Sequence, residues 1–593
     1  MRNIFFIFFL SFSTFLFSQK PEQAYRYYMK GEYEQAAMLY KALHEKNRIQ
    51  REYFKKLITC QQQLGDYDEA EKIILNQLIE FPMLTYLDVE LGYNFELQGK
   101  FEEAEKYYQS AIQSIEINPN QVYNIGYSFT ENHKLEYALQ SYEIAKRKNP
   151  KLVTQIQEAQ IYGEQGEFDK MFASYLNLVD FNEEYVDTVK RYLAQYISDD
   201  PSDKNNILFK KQLLLRAQNN PKNSYNLLLS WLFVQQKDYN KAIVQEISIY
   251  NRDKSNIEKI YELGLISMEN KDFESAKKAF YFILNQDNSD EVILNIQNNL
   301  LSIQIQESKP SDYSSVDKNF QEIFIQYGKT GRTIPLQINY ADFLAFQLNK
   351  PDEAIKLLKE AIPDALSELQ KGMIKIKLGD ILVFDNQFNQ ALILYSQVQN
   401  DLKNSNLAQT ARFKVAQTSY FKGDFEWAKD QLSVLKSSTS QLIANDALDL
   451  YLLILNNIDK DSLKTPLELY AKSQLYSFQK KNDIAIKTLD TITQNYKGSL
   501  IEDDALKFQA ELFTSENIAD RAESNYLKIE SFYPDSILID QVLYQLAELY
   551  LNHLSEPDKA RIYFEKIIFN YPSSIYLVDA RKQYRKLRGD ILN

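Results

Sequence analysis

Apolar and small residues along this chain fall on one face of a helix, break at a turn, and resume on one face of a second helix. Four segments near the start show the repeat most clearly: Gly31-Glu32-Tyr33 to Ala36, Gly65-Asp66-Tyr67 to Ala70, Gly99-Lys100-Phe101 to Ala104, and His133-Lys134-Leu135 to Ala138. Their alanines are spaced 34 residues apart. After each turn, small or bulky apolar side chains follow at i, i+4 and i+7, as in Ala104, Tyr108 and Ala111 or Ala138, Tyr142 and Ala145. That is the spacing of one buried helical face. Ahead of the turn stand a large, a small and an aromatic residue: Leu91, Gly92 and Phe95, then Ile125, Gly126 and Phe129. The pattern predicts helical hairpins, with Gly31, Gly65 and Gly99 in tight turns where positive φ costs least. Pro82 and Pro150 end second helices. Gly126 and Ala138 mark where two helices approach closely, with Phe129 and Tyr142 filling the space beside them. A fixed period of this size predicts an array in which each unit completes its neighbour's core.

The pattern continues in weaker form. Met171 takes the alanine slot after Gly166, and later copies run to Ala242, Ala276, Ala354, Ala391, Ala428, Ala485, Ala522 and Ala560. The stretches 183–225 and 288–306 read as helical but poorly patterned. Residues 307–334 contain Lys309-Pro310-Ser311-Asp312 and Gly328-Lys329-Thr330-Gly331. They are read as a linker or hinge between an N-terminal array, 19–306, and a C-terminal array, 335–593. The second array has longer steps, 37 residues from Ala354 to Ala391 and again to Ala428, and its units end in Tyr496-Lys497-Gly498-Ser499, Tyr533-Pro534-Asp535-Ser536 and Tyr571-Pro572-Ser573-Ser574.

The period and these positions resemble the tetratricopeptide repeat, a helix–turn–helix unit. The resemblance implies an all-α superhelical solenoid of about 14–16 hairpins in two arrays. The Tyr-Pro-x-Ser endings over about 465–593 resemble the repeats of periplasmic envelope proteins, namely the lipoprotein of the outer-membrane β-barrel assembly machine and the coordinator of the Tol-Pal system. That likeness implies a scaffold or adaptor in a bacterial cell envelope, or a chaperone-like carrier for outer-membrane or secreted clients.

Composition narrows the address and the partners. Met1-Arg2-Asn3 is a short positive start and Ile4 to Phe17 is mostly apolar, too short for a bilayer span of ~20 residues. Residues 1–18 read as a cleaved secretory signal, leaving Gln19 first and the mature protein periplasmic or secreted. No cysteine follows the apolar run to carry a lipid. The single cysteine, Cys60, allows no internal disulfide. A net charge of −13 argues against a nucleic-acid partner. With only 15 glycines in 593 residues, phosphate-cradling loops are not expected.

No catalytic constellation stands out, and neither an enzyme activity, a metal nor a cofactor is expected. His44, His133 and His553 are far apart, and His133 occupies a turn slot that is glycine in three sister repeats. Cys60 reads as a buried, inert thiol. Gly328-Lys329-Thr330 lacks the earlier glycine of a phosphate loop, since Ile323 stands there.

The repeat resemblance places certain first-helix side chains in the concave groove: Lys55, Thr59 and Gln62, then Val89, Tyr93 and Glu96, then Tyr123, Tyr127 and Thr130. Lys55, Gln62, Tyr93, Glu96, Tyr123 and Tyr127 are the candidate partner-binding residues. Their rings either hold an extended peptide or helix or merely coat the inside of the array. The Lys/Asn clamp by which some members hold a C-terminal carboxylate is missing, with Thr59 and Tyr93 where Asn is expected. A second candidate is the basic run Arg581, Lys582, Arg585, Lys586 and Arg588. It reads as a contact for anionic lipid, lipopolysaccharide or an acidic partner, or as cations favoured at a helix C-terminus.

Overall fold

The computed structural model describes residues 20–287, 289–435, 441–458 and 464–589. The expected signal segment 1–18 lies outside the described residues. Among these, the chain forms thirty-two α-helices, joined by short turns and a few 310 turns. Consecutive helices pack in antiparallel pairs.

The chain divides into two compact units, one ending at Ile249 and one beginning at Tyr250. The first opens with four hairpins: α1 (Lys20–Met29) and α2 (Tyr33–Lys46), α3 (Arg51–Gln63) and α4 (Tyr67–Glu80), α5 (Leu87–Leu97) and α6 (Phe101–Ile117), α7 (Val122–Glu131) and α8 (Leu135–Lys148). The four period-marking alanines, Ala36, Ala70, Ala104 and Ala138, are all buried. In the third and fourth hairpins the first helix presents a glycine to an aromatic ring of its partner. A methyl group added at Gly92 would sit 2.6 Å from the Tyr108 ring, and one at Gly126 would sit 2.5 Å from Tyr142. The ring fills the space that the missing side chain leaves, so the hairpin closes without a cavity.

The turns repeat as closely. Gly99 has φ +75° and His133, in the same slot, has φ +54°. His133 is exposed, as a turn residue should be. Farther on, Lys271, Asn386 and Asn517 take positive φ in the equivalent place. Glycine is therefore one solution of this turn among several, which is why the turn fades from the sequence while persisting in the fold.

The poorly patterned stretch 183–225 holds a 310 turn, the short helix Val186–Leu193, the helix Lys204–Asn219 and the start of a third. The irregular link before Lys204 is pinned by Asn206, which is wholly buried. Its amide nitrogen donates to the carbonyls of Ser198 at 2.9 Å and Asp200 at 2.6 Å, and its amide oxygen accepts from Ser198 N at 3.3 Å. Backbone groups that no helix pairs are satisfied by one side chain.

The second unit uses the same lock. A methyl at Gly264 would meet the Phe280 ring at 2.7 Å, and one at Gly379 would collide with Tyr395. Residues 307–334, read from sequence as a hinge, lie within this unit and carry the helix Tyr313–Tyr327. Its Val316, Phe320 and Phe324 are buried in a cluster with Ile334, Tyr340 and Phe343. The Pro and Gly signals mark only its ends, at Pro310 and Gly328, while the apolar positions between them fix it in place.

Candidate functional site

The first helices α3, α5 and α7 stand next to one another and share one polar network. Its centre is Glu90 on α5, a carboxylate with no exposure. Lys55 Nζ on α3 donates to Glu90 Oε2 at 2.5 Å. Ser128 Oγ on α7 donates to Glu90 Oε1 at 2.9 Å, and Asn132 Nδ2, just past α7, donates to Oε2 at 3.2 Å. Lys55 also donates to Asn132 Oδ1 at 2.7 Å. A carboxylate this deep is tolerated only when its charge and lone pairs are matched, and here every partner comes from a neighbouring hairpin.

Arg51 opens α3 and borders the same face. Its guanidinium lies between the rings of Tyr86 and Tyr127, at 4.4 and 4.5 Å from their centroids. It donates to Ser128 Oγ at 2.7 Å and pairs with Glu131 at 3.2 Å. Stacking and bonding together fix the planar group in one orientation. Beneath it, Gln62 donates to Asn94 Oδ1 at 3.3 Å, and Asn94 donates to the Tyr67 carbonyl at 2.9 Å. The face encloses a cavity of about 650 Å³, bordered by Tyr28, Arg51, Lys55, Tyr93, Tyr127 and Glu131.

Five of the groove residues expected from sequence, Lys55, Thr59, Gln62, Tyr93 and Tyr127, line this cavity. Gln62 is buried, and Lys55 is committed to Glu90; Tyr127 is 52% exposed. Glu96 is turned elsewhere, accepting from Tyr108 Oη at 2.9 Å and pairing with Lys134. Burial, then that hydrogen bond, pushes the Tyr108 hydroxyl far above its usual pKa. Tyr123 reaches the next loop, where it donates to the Val153 carbonyl at 3.4 Å and accepts from Val153 N at 3.3 Å. Val89 is fully buried and faces the core.

Sequence reasoning missed Arg51, Glu90, Ser128 and Asn132. One signal was available for Glu90: it stands among Leu87, Val89, Leu91 and Gly92, an otherwise apolar run. Its partners lie 35 to 42 residues away, and no local spacing connects them.

Cys60 is buried, and burial pushes its thiol up to about 11. Such a thiol is a poor nucleophile. Among the described residues, no group of three His, Cys, Asp or Glu side chains is placed to hold a metal ion. The basic run lies on the helix Leu577–Arg588, anchored by buried Ala580 and half-buried Tyr584 and Leu587. Arg581, Lys582, Arg585, Lys586 and Arg588 are exposed, three of them in the last turn before the left-handed Gly589. No helix among the described residues is long and apolar enough to cross a membrane.

Paired helices locked by small-to-aromatic contacts define a helical-repeat protein. Residues 541–574 match the family model of the tetratricopeptide repeat. They begin in the helix Ile539–Asn552, span Pro557–Asn570 and end on the Tyr571-Pro572-Ser573-Ser574 turn. That match covers a single hairpin, and the all-α fold of paired helices extends well beyond it. No curated protein sequence matches this chain. Among solved structures, it is similar to the APC/C hetero-tetramer Cut9-Hcn1 at 12% identity and TM-score 0.26, covering 97% of this chain and 98% of that one. Yeast Tom70 is similar at 15% identity and TM-score 0.31, over 78% and 99%. A tetratricopeptide repeat protein from Parabacteroides merdae is similar at 13% identity and TM-score 0.25, over 50% and 99%.

Proposed function

We propose that this chain is an exported, non-catalytic adaptor that holds protein partners in the bacterial cell envelope. The observation that carries the binding role is the face built on α3, α5 and α7. Its polar groups are already bonded to one another, so a partner need not reorganise them, while Tyr127 and Tyr93 keep ring surface available. Rings fixed in advance bind at low entropic cost. Export is supported by the apolar run Ile4–Phe17 behind Arg2, and the envelope by the Tyr-Pro-x-Ser turns.

Cross-linking a tagged copy in its native cells, followed by mass spectrometry, tests both parts. One dominant envelope protein should be recovered, and a chain starting at Gln19. The double variant Tyr93→Ala/Tyr127→Ala should lose that partner while keeping its helical circular dichroism. Undiminished capture by the double variant removes the N-terminal face from consideration. Recovery of cytoplasmic proteins alone, with Met1 retained, defeats the export reading.

A further inference from the structure

A second cavity, of about 680 Å³, lies within the C-terminal unit among the helices Asn406–Phe421, Gln441–Asn457, Thr465–Phe478 and Glu502–Ser515. Its size is that of an ordinary ligand pocket. Its chemistry is one-sided. Asp504 lines its inner wall, and Asp446 and Asp449 are exposed at its mouth. The lysine on its wall, Lys507, is paired with Glu511 at 2.8 Å. The aromatic rings of Phe413, Phe421, Phe478 and Phe508 border it.

Two polar atoms on this wall have no partner among the described residues. Tyr420 is 1% exposed, lines the cavity, and its hydroxyl makes no hydrogen bond. Asn457 is 9% exposed; its amide nitrogen donates to the Leu453 carbonyl at 2.9 Å, which leaves its amide oxygen unpartnered. Buried polar atoms in folded proteins are nearly always satisfied, so these two point to something that binds. Tyr420 Oη and Asn457 Oδ1 can both accept, as can the Asp504 carboxylate. A ligand suited to three acceptors, two further carboxylates and a set of rings is a flat cation with several N–H donors. Guanidinium has five such donors in one plane and stacks on aromatic faces, whereas ammonium is a compact point charge.

We infer that this cleft binds an arginine side chain presented by a partner polypeptide. The inference rests on the reading of the chain as a protein-binding scaffold and gives the C-terminal unit a basic ligand of its own. Asp504 supports it from a second direction. Burial, then the neighbouring Asp503, raises its pKa to about 7, against the lowering effects of Lys507 and Asn457. Among the described residues, the other charged or titratable groups around it are Asp446, Asp449, Tyr420 and Tyr470, and none of these is a cation. An entering guanidinium would supply the missing counter-charge and drive the carboxyl to ionise.

Fluorescence anisotropy with the full chain tests this, using a short labelled peptide of alternating arginine and glycine, its glutamate counterpart, and N-acetylarginine methylamide as competitor. The arginine peptide should bind and the glutamate peptide should not. Affinity should rise with pH through about 7. Asp504→Asn and the exposed Asp449→Asn should each weaken binding about tenfold, the worth of a hydrogen bond to a charged group. Tyr420→Phe should weaken it by a smaller factor. Equal affinity for wild type and both aspartate variants, or no binding of the arginine peptide, overturns the inference. Competition by the methylamide as strong as that of the peptide itself overturns the polypeptide part. Either failure leaves the Tyr93/Tyr127 capture experiment untouched, so the scaffold reading is judged separately.

Discussion

The cavity of the N-terminal unit and that of the C-terminal unit are nearly equal in size, yet they treat buried charge in opposite ways. In the first, Glu90 is fully enclosed, and Lys55, Ser128 and Asn132 satisfy it from two neighbouring hairpins. In the second, Asp504 is in no ion pair among the described residues, its neighbour Lys507 being bonded to Glu511, and Tyr420 and Asn457 carry atoms without a described partner beside it. Both are built on the same small-to-aromatic lock, seen at Gly126 and Tyr142 and again at Gly379 and Tyr395. The repeat scaffold fixes where first helices stand. The few polar residues facing the cavity decide whether a charge there is matched from within the array or left unmatched.

The largest expected effect comes from breaking the finished network. Lys55→Met leaves the Glu90 charge buried without a counter-ion and should cost about 3–5 kcal/mol. Amide hydrogen exchange over α3, α5 and α7 reads this locally, as suits a repeat array that opens in segments. Glu90→Gln added to Lys55→Met should recover part of the loss. If Lys55→Met changes exchange by less than about 1 kcal/mol, Glu90 is not the organising charge and the contrast fails.

Next in size is the opposite behaviour of Asp504. Burial raises its pKa from the ordinary 3.8 to about 7 in the folded chain. Between those values the folded state holds the additional proton, so stability falls as pH rises through that window and levels off above it. Asp504→Asn should therefore stabilise the C-terminal unit by roughly 2–4 kcal/mol at about pH 8 and by little at about pH 4. Urea melts at the two pH values measure it. A pH-independent effect would show that Asp504 is paired after all.

The shared lock predicts equal, smaller costs on both sides of the comparison. Gly126→Ala and Gly379→Ala each force a methyl into a tyrosine ring and should cost about 1–3 kcal/mol. A large cost at one and none at the other would mean that the two units do not use the same hairpin. The smallest effect belongs to Tyr127→Leu, which removes one of the two rings over Arg51 and should cost about 0.5–1 kcal/mol. Near-neutrality in the melt together with lost partner capture would separate the exposed ring's binding role from its packing role.

The sequence by itself determined the helical hairpin and its register. Ala104, Ala138, Gly126 and Tyr142 signal their burial through spacing, because helical periodicity and the size of a side chain are local properties. The tight turn was legible where glycine occupied it and faded where Lys271 or Asn386 did, since those side chains tolerate the same backbone without advertising it. In residues 307–334, Pro310 and Gly328 stand at the ends of a helix, and a hinge carries the same punctuation. Tertiary structure alone decided which polar side chains meet. Lys55, Glu90 and Asn132 come from three hairpins, and Tyr420, Asn457 and Asp504 from three helices. Spacing within a unit fixes a residue's face, but its partner across units depends on how successive hairpins stack, which the period constrains and does not specify.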